Sequence, residues 1–63
     1  MGNKIKEARK ELGYSQEELA TKSSVSRTII SALESGKTEV TTTTTLIKIA
    51  EALNKTVGEI FFN

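Results

Sequence analysis

Apolar residues recur along the chain at steps of three and four positions, which is the period of an α-helix. In the first segment this spacing links Ile5, Ala8 and Leu12 in one apolar stripe and predicts a helix over about Asn3–Leu12. Gly13 follows, and glycine readily adopts the left-handed conformation that ends many helices. The pattern therefore predicts a first helix that stops at this glycine.

The segment SQEELATK predicts a second helix with its own start signal. Ser15 and Glu18 have the spacing of a capping box, in which each side chain accepts a hydrogen bond from the other residue's backbone N–H. The helix then covers about Gln16–Lys22, and its apolar side consists only of Leu19 and Ala20. Because this is too little apolar surface to hold the helix in isolation, we expect it to dock on its neighbours.

A third helix is predicted over about Arg27–Ser35, with Ser26 as its N-cap and a glycine directly after its end. At about 100° per residue, Ile30 and Leu33 fall on one side, and Glu34 lies at the edge of that stripe. The opposite side carries small side chains, which are those of Thr28, Ser31, Ala32 and Ser35. The helix therefore has one apolar side for the core and one thin, polar side.

The run KTEVTTTTT is the one low-complexity stretch, and it allows two interpretations. Its β-branched threonines favour a strand. They lead directly into LIKIAEAL, however, in which Leu46, Ile49 and Leu53 have helical spacing. We therefore prefer a loop that ends at a cap near Thr42, followed by a fourth helix over about Thr43–Leu53.

The last segment, TVGEIFF, predicts a short fifth helix that begins near a cap at Thr56. It offers Val57, Ile60 and Phe61 to the same core. The sequence contains no proline and no Asn-Gly or Asp-Gly turn. We therefore expect a single all-α domain over residues 1–63.

The composition excludes several classes of function. The chain has no histidine, no cysteine and no paired carboxylates in an apolar segment, so it lacks the usual groups for acid–base, nucleophilic or zinc chemistry. We expect no enzyme activity, no metal, no cofactor and no small-molecule ligand. No apolar run is long enough for a signal peptide or a membrane span, which predicts a cytoplasmic protein without membrane contact. The net charge is only +1, so any binding of nucleic acid must depend on where the cations lie.

Two short helices joined by a tight turn, with SQEELA opening the first and VSRT leading into the second, resemble the phage repressor/Cro (Xre-type) helix-turn-helix family of DNA-binding transcriptional regulators. The similarity continues through IKEARKELGYSQEELA, VSRTIISALESGK and LIKIAEALNKTVGEIF, in the family's order. It implies a compact five-helix bundle of the lambda-repressor-like type, with the helix-turn-helix at helices 2 and 3. Two departures are that Ser24 stands where the family commonly has glycine, and that the loop between Gly36 and Leu46 is a residue longer than usual.

The resemblance implies that the third helix is a recognition helix in the major groove of double-stranded DNA. Small side chains let such a helix approach the base edges, and the planar guanidinium of Arg27 can pair with O6 and N7 of guanine. We predict base contacts from Arg27, Thr28, Ser31 and Ala32. Without the surrounding motif, the same residues would be interpreted as an ordinary solvated helix surface.

Contacts with DNA phosphates are predicted at the ends of two helices. Gln16 opens the second helix, where free backbone N–H groups favour an anion, and the matching glutamine of the family clamps a phosphate. The other predicted phosphate contacts are Ser26, Lys37 and Thr38. The alternative interpretation of Gln16 is a solvated first-turn residue.

Three further residues carry expectations of their own. Arg9 and Glu34 lie at the edges of the apolar stripes of the first and third helices, and they match a buried ion pair in the resembled family. We expect the two side chains to pair where these helices cross. Ile29 lies about 70° from the core stripe, and it either packs on Val25 or contacts a thymine methyl group.

We therefore predict a sequence-specific regulator that acts as a homodimer on a palindromic DNA operator. The predicted dimer contact lies near Leu53–Phe62, where one of the two adjacent phenylalanines is expected to be exposed. The alternative is a helical protein-interaction module, antitoxin-like or partner-binding, with weak or no DNA binding. The near-neutral charge is the best argument for that alternative.

Overall fold

A computed structural model describes residues 3–37 and 42–62. These residues form five α-helices, which are α1 (Ile5–Glu11), α2 (Gln16–Ser23), α3 (Arg27–Ser35), α4 (Thr43–Ala52) and α5 (Val57–Phe61). No strand occurs in the two described ranges. The all-α prediction is confirmed, and the threonines from Thr43 onwards begin α4 instead of forming a strand.

Hydroxyl side chains cap the last four helices, which explains where each of them begins. The capping residues are Ser15, Ser26, Thr42 and Thr56. The predicted capping box is present, since Glu18 Oε1 accepts from the N–H of Ser15 at 2.8 Å. A second box, which was not predicted, joins Thr56 and Glu59 with the same geometry.

Residues with a left-handed backbone end the first three helices. Gly13 and Gly36 follow α1 and α3 with φ angles of 76° and 78°. Ser24 ends α2 with φ 58° and ψ 31°, at the position where the resembled family commonly has glycine. Because a side chain makes this conformation costly, the turn after α2 carries backbone strain that a glycine would relieve.

One side of each helix contributes to a single core. Its buried apolar residues are Ile5, Ala8, Leu19, Val25, Ile30, Leu33, Ile49, Ala50, Leu53 and Ile60. Helix α2 packs against both α3 and α4, while α1 packs against α3 and α4 against α5. This packing fixes α3 relative to the start of α2 and leaves the other side of α3 facing solvent.

Leu12 does not lie in the core, and its assignment to the buried stripe of the first helix is wrong. Its side chain is 40% exposed, although its spacing from Ile5 and Ala8 predicts burial. Helix α1 ends one residue earlier, so Leu12 is only its C-cap. The buried side chain in the last turn of α1 is Arg9.

Candidate nucleic-acid interface

The link between α2 and α3 is three residues long, and each residue has a separate task. Ser24 turns the chain through its left-handed conformation. The side chain of Val25 is buried, so the turn is anchored in the core. Ser26 Oγ then accepts from the N–H of Ile29 at 3.2 Å and starts α3. The two helices are thus held by a short, fixed turn.

An open cleft lies between the start of α2 and the exposed side of α3. Its lining consists of Gln16, Arg27, Thr28, Ser31, Ala32 and Lys37. These are the residues predicted to contact DNA, except Ser26, which caps α3, and Thr38, which lies outside the described residues. Arg27 and Lys37 carry positive charge, and none of the described residues that line the cleft carries a carboxylate. The cleft is therefore suited to an anionic ligand.

The polar side chains on the exposed side of α3 keep their hydrogen-bonding capacity. In the part of the chain that the structure describes, the α3 side chains that hydrogen-bond within the protein are those of Glu34 and Ser35. Arg27, Thr28 and Ser31 are all exposed. None of their donors and acceptors is therefore used by another described residue.

Two apolar residues of α3 lie beside this polar surface. Ala32 is half-buried and forms part of the cleft, where its small side chain keeps the helix surface thin. Ile29 is 39% exposed and does not line the cleft. Both alternatives for Ile29 stay open, because the exposed part of the side chain is accessible to a ligand.

The first residue of α2, Gln16, contacts the third helix directly. Its Nε2 donates to Glu34 Oε1 at 3.1 Å, across a separation of 18 residues in the chain. The side chain is half-buried and lines the cleft at the same time. This contact was not predicted, because the helical spacing within α2 or α3 carries no signal for a bond between them.

The structure brings Arg9 and Glu34 together in an ion pair with two hydrogen bonds. Arg9 Nε donates to Glu34 Oε2 at 2.9 Å, and Arg9 Nη2 donates to Glu34 Oε1 at 3.1 Å. Arg9 Nη1 also donates to the carbonyl oxygen of Tyr14 at 2.8 Å. The side chains are only 11% and 5% exposed. The pair therefore connects α1, the following loop and α3, and it is largely shielded from water.

Lys37 and Ser26 lie at the two ends of α3. The N–H of Lys37 donates to the carbonyl oxygen of Ala32 at 3.0 Å, which fixes the backbone directly after the helix. The lysine side chain is exposed. Ser26 uses its oxygen as an acceptor for the cap, and its hydroxyl proton can still be donated.

Within residues 3–37 and 42–62, no helix combines the length and apolar composition needed to cross a bilayer. The same residues contain no group of three or more acidic, histidine or cysteine side chains that could hold a metal ion.

A capped docking helix, a tight turn and an exposed second helix beside a cationic cleft together define a helix-turn-helix domain of the DNA-binding type. The helix-turn-helix family HTH_3 matches residues 5–60, and the chain belongs to this Xre/Cro/C1-type family. The family and the fold are those of DNA-binding regulators and not of enzymes.

The structure is similar to a chain of the solved SinR protein/SinI protein complex, with a TM-score of 0.83 and 34% sequence identity. The match covers 87% of this chain and 53% of that chain, so this protein spans about half the length of its structural neighbour. No curated protein matches the sequence.

Proposed function

We propose that the protein is a sequence-specific transcriptional repressor that binds double-stranded DNA through α3. The observation that carries this proposal is the cleft, in which Gln16 and the two cations Arg27 and Lys37 lie around the thin polar side of α3. The major groove of B-DNA is about 12 Å wide and admits a single α-helix. An exposed helix with small side chains fits that space.

The base contacts come from the first two turns of α3. Arg27, the first residue of the helix, donates both arms of its guanidinium to a guanine. Thr28 and Ser31 contribute hydroxyl groups, and Thr28 also has a methyl group for contact with thymine. Ala32 lets the helix approach closely and adds a second small apolar contact.

The phosphate contacts lie on both flanks of α3. Gln16 and Ser26 act at the starts of α2 and α3, where the helix dipole favours an anion. Lys37 acts at the end of α3, and Thr38 follows it in the chain. Such contacts set the orientation of the helix in the groove and carry no base information of their own.

The chain acts as a homodimer on a palindromic operator, because each copy has one recognition helix and reads one half-site. The exposed apolar side chains support a contact near the carboxyl end of the described chain. Phe62 is 74% exposed and Ile47 is 41% exposed, while Phe61 packs against the core.

Selection of bound duplexes from a random pool tests this function directly. We expect an enriched palindrome with half-site centres about 10 base pairs apart, and a complex whose mass corresponds to two chains. A pool without enrichment would contradict sequence-specific binding. A saturated complex with one chain per operator would contradict the dimer alone.

A protein-interaction module is the second candidate, and the net charge of +1 favours it over a strongly basic DNA binder. The structural neighbour was itself solved in a complex with another protein. A gel shift with mixed genomic fragments at low salt discriminates the two, since phosphate contacts are strongest there. Absence of any shift would favour a protein partner.

A further inference from the structure

Gln16 is the only glutamine of the chain, and its amide is held by the recognition helix. Gln16 Nε2 lies 3.1 Å from Glu34 Oε1. The same carboxylate accepts two hydrogen bonds from Arg9, one at each oxygen. A single buried carboxylate therefore joins α1, the start of α2 and α3.

The position of Glu34 Oε1 is fixed by its surroundings. The guanidinium of Arg9 is held on its far side by the carbonyl oxygen of Tyr14, at 2.8 Å. The paired arrangement of two donors and two oxygens prevents rotation of the carboxylate. The side chain of Glu34 is 5% exposed, so water competes little for its oxygens.

This fixed carboxylate selects one orientation of the Gln16 amide. An ionised carboxylate only accepts hydrogen bonds, so the amide nitrogen must face Glu34. The nitrogen carries two hydrogens, and the second N–H is left for another acceptor. Gln16 lines the cleft that also contains Arg27 and Lys37, and a phosphate oxygen in this cleft would be such an acceptor.

We infer that Glu34 is a positioning residue for DNA, which holds the Gln16 amide so that its second N–H donates to a backbone phosphate. This inference rests on the proposed function. It assigns to the Arg9–Glu34 pair a task beyond stability, since Arg9 also neutralises a carboxylate that would otherwise repel the phosphate.

The substitution Glu34→Gln tests this inference, because the change in net charge and the loss of the positioned amide should change the affinity for DNA in opposite directions. Replacing a glutamate by glutamine raises the net charge by one and should by itself tighten binding to DNA. In Glu34→Gln, however, an –NH₂ group replaces one of the two oxygens, and at the position of Oε1 it faces the amide nitrogen of Gln16 as well as Arg9 Nη2. The amide of Gln16 then turns its oxygen inward and its N–H groups away from the phosphate.

We would measure the affinity for a mixed-sequence duplex at low salt, because phosphate contacts do not depend on sequence. Glu34→Gln should bind about tenfold more weakly, the effect of one hydrogen bond to a charged group. The matched control is Glu11→Gln, which makes the same charge change at an exposed residue of a separate cleft between α1 and α5. It should bind as well as the wild type or slightly better.

A double-mutant cycle with Gln16→Ala separates positioning from a general shift of α3. Gln16→Ala should weaken binding about tenfold, and adding Glu34→Gln should weaken it no further. If the two losses multiply, Glu34 does not act through Gln16 and the inference is wrong. If the wild type itself does not bind duplex DNA, the proposed function fails instead.

A measurement on the wild type keeps the inference testable if Glu34→Gln does not fold. The side-chain amide of Gln16 gives the only glutamine –NH₂ pair in a ¹⁵N correlation spectrum. On addition of duplex we expect one of its two protons to shift strongly, while the proton bonded to Glu34 keeps its position. Equal shifts of both protons, or no shift of either, would overturn the inference.

Discussion

The polar residues on the two sides of α3 differ in exposure and in hydrogen bonding. On the side that faces the domain, the side chain of Glu34 is only 5% exposed and accepts three hydrogen bonds. The core residues Ile30 and Leu33 lie on the same side. On the exposed side, Arg27 and Thr28 make no side-chain hydrogen bond with any of the described residues. Polar side chains of one helix thus have two separate tasks, and single substitutions should separate them.

Arg9→Ala should remove the ion pair on the side of α3 that faces the domain, and it should lower the stability of the protein more than any of the other substitutions. It leaves the buried carboxylate of Glu34 without its charged partner, which costs about 3–5 kcal/mol. A domain of this size has a free energy of unfolding of only about 3–9 kcal/mol. We therefore expect Arg9→Ala to be largely unfolded by circular dichroism and to lose DNA binding as a consequence.

Arg9→Lys is the matched control for this substitution. It retains the charge and loses the paired geometry, so its stability should fall between those of the alanine variant and the wild type. An Arg9→Ala protein that melts like the wild type and still binds DNA weakly would mean that Arg9 contacts phosphate and does not stabilise the fold through Glu34.

Arg27→Ala should remove a base contact from the exposed side of α3 without changing the fold. We expect the discrimination at one guanine in each half-site to fall by about 1–3 kcal/mol, while the melting curve stays that of the wild type. Affinities for the selected operator and for a scrambled duplex measure this loss. Arg27→Lys should retain most of the affinity for scrambled DNA but lose the discrimination, because lysine lacks the planar guanidinium. Unchanged discrimination in Arg27→Ala would refute the recognition-helix assignment.

Local signals in the sequence predict most of the fold. Hydroxyl caps and helical spacing predict the observed bounds of α3 and place the other helices within two residues of theirs. These signals act within one or two turns of a helix, so they are present in a short window of sequence. Leu12 shows their limit, because its spacing predicts burial and its side chain is 40% exposed. The bond between Arg9 and Glu34 joins residues 25 positions apart, so it lies outside any such window.

The candidate site is predictable to a lesser degree. The exposed residues of α3 follow from periodicity together with the family resemblance, and the cleft groups them with Gln16 and Lys37. The bond between Gln16 and Glu34 does not follow from either, since it depends on the angle between α2 and α3. That angle is set by the turn at Ser24, whose left-handed backbone no helical pattern encodes.

Ser24→Gly should relax the turn that joins α2 to α3. Glycine removes the steric cost of φ 58° but makes the unfolded chain more flexible, so we expect a net stabilisation of only about 0.5–1 kcal/mol. Thermal unfolding measures this gain. Gly36→Ala is the opposite control, since it adds a side chain at φ 78° and should destabilise the protein. A lower melting temperature for Ser24→Gly would show that the serine side chain has a stabilising contact of its own.

The smallest effect should come from Glu59, in the capping box of α5 and away from both sides of α3. The pKa of Glu59 is lowered, first by the hydrogen bond from the backbone N–H of Thr56, then by the Thr56 side chain and by the charge of Lys55. Because the pKa of Glu59 is lower in the folded state than in the unfolded chain, its ionised carboxylate stabilises the fold. This stabilisation is fully present above the pKa of a glutamate in the unfolded chain, about 4.3. This contribution is lost as the pH falls from there through the folded-state pKa.

The test is the difference in melting temperature between the wild type and Glu59→Gln at several pH values. At neutral pH we expect the wild type to melt slightly higher, and the difference should vanish in acid, where both side chains are uncharged. Thr56→Ser keeps both hydrogen bonds of the box and should retain the pH dependence of the wild type. A difference that stays constant down to acid pH would show that the glutamate acts through its shape and not through its charge, as glutamine can also close such a box.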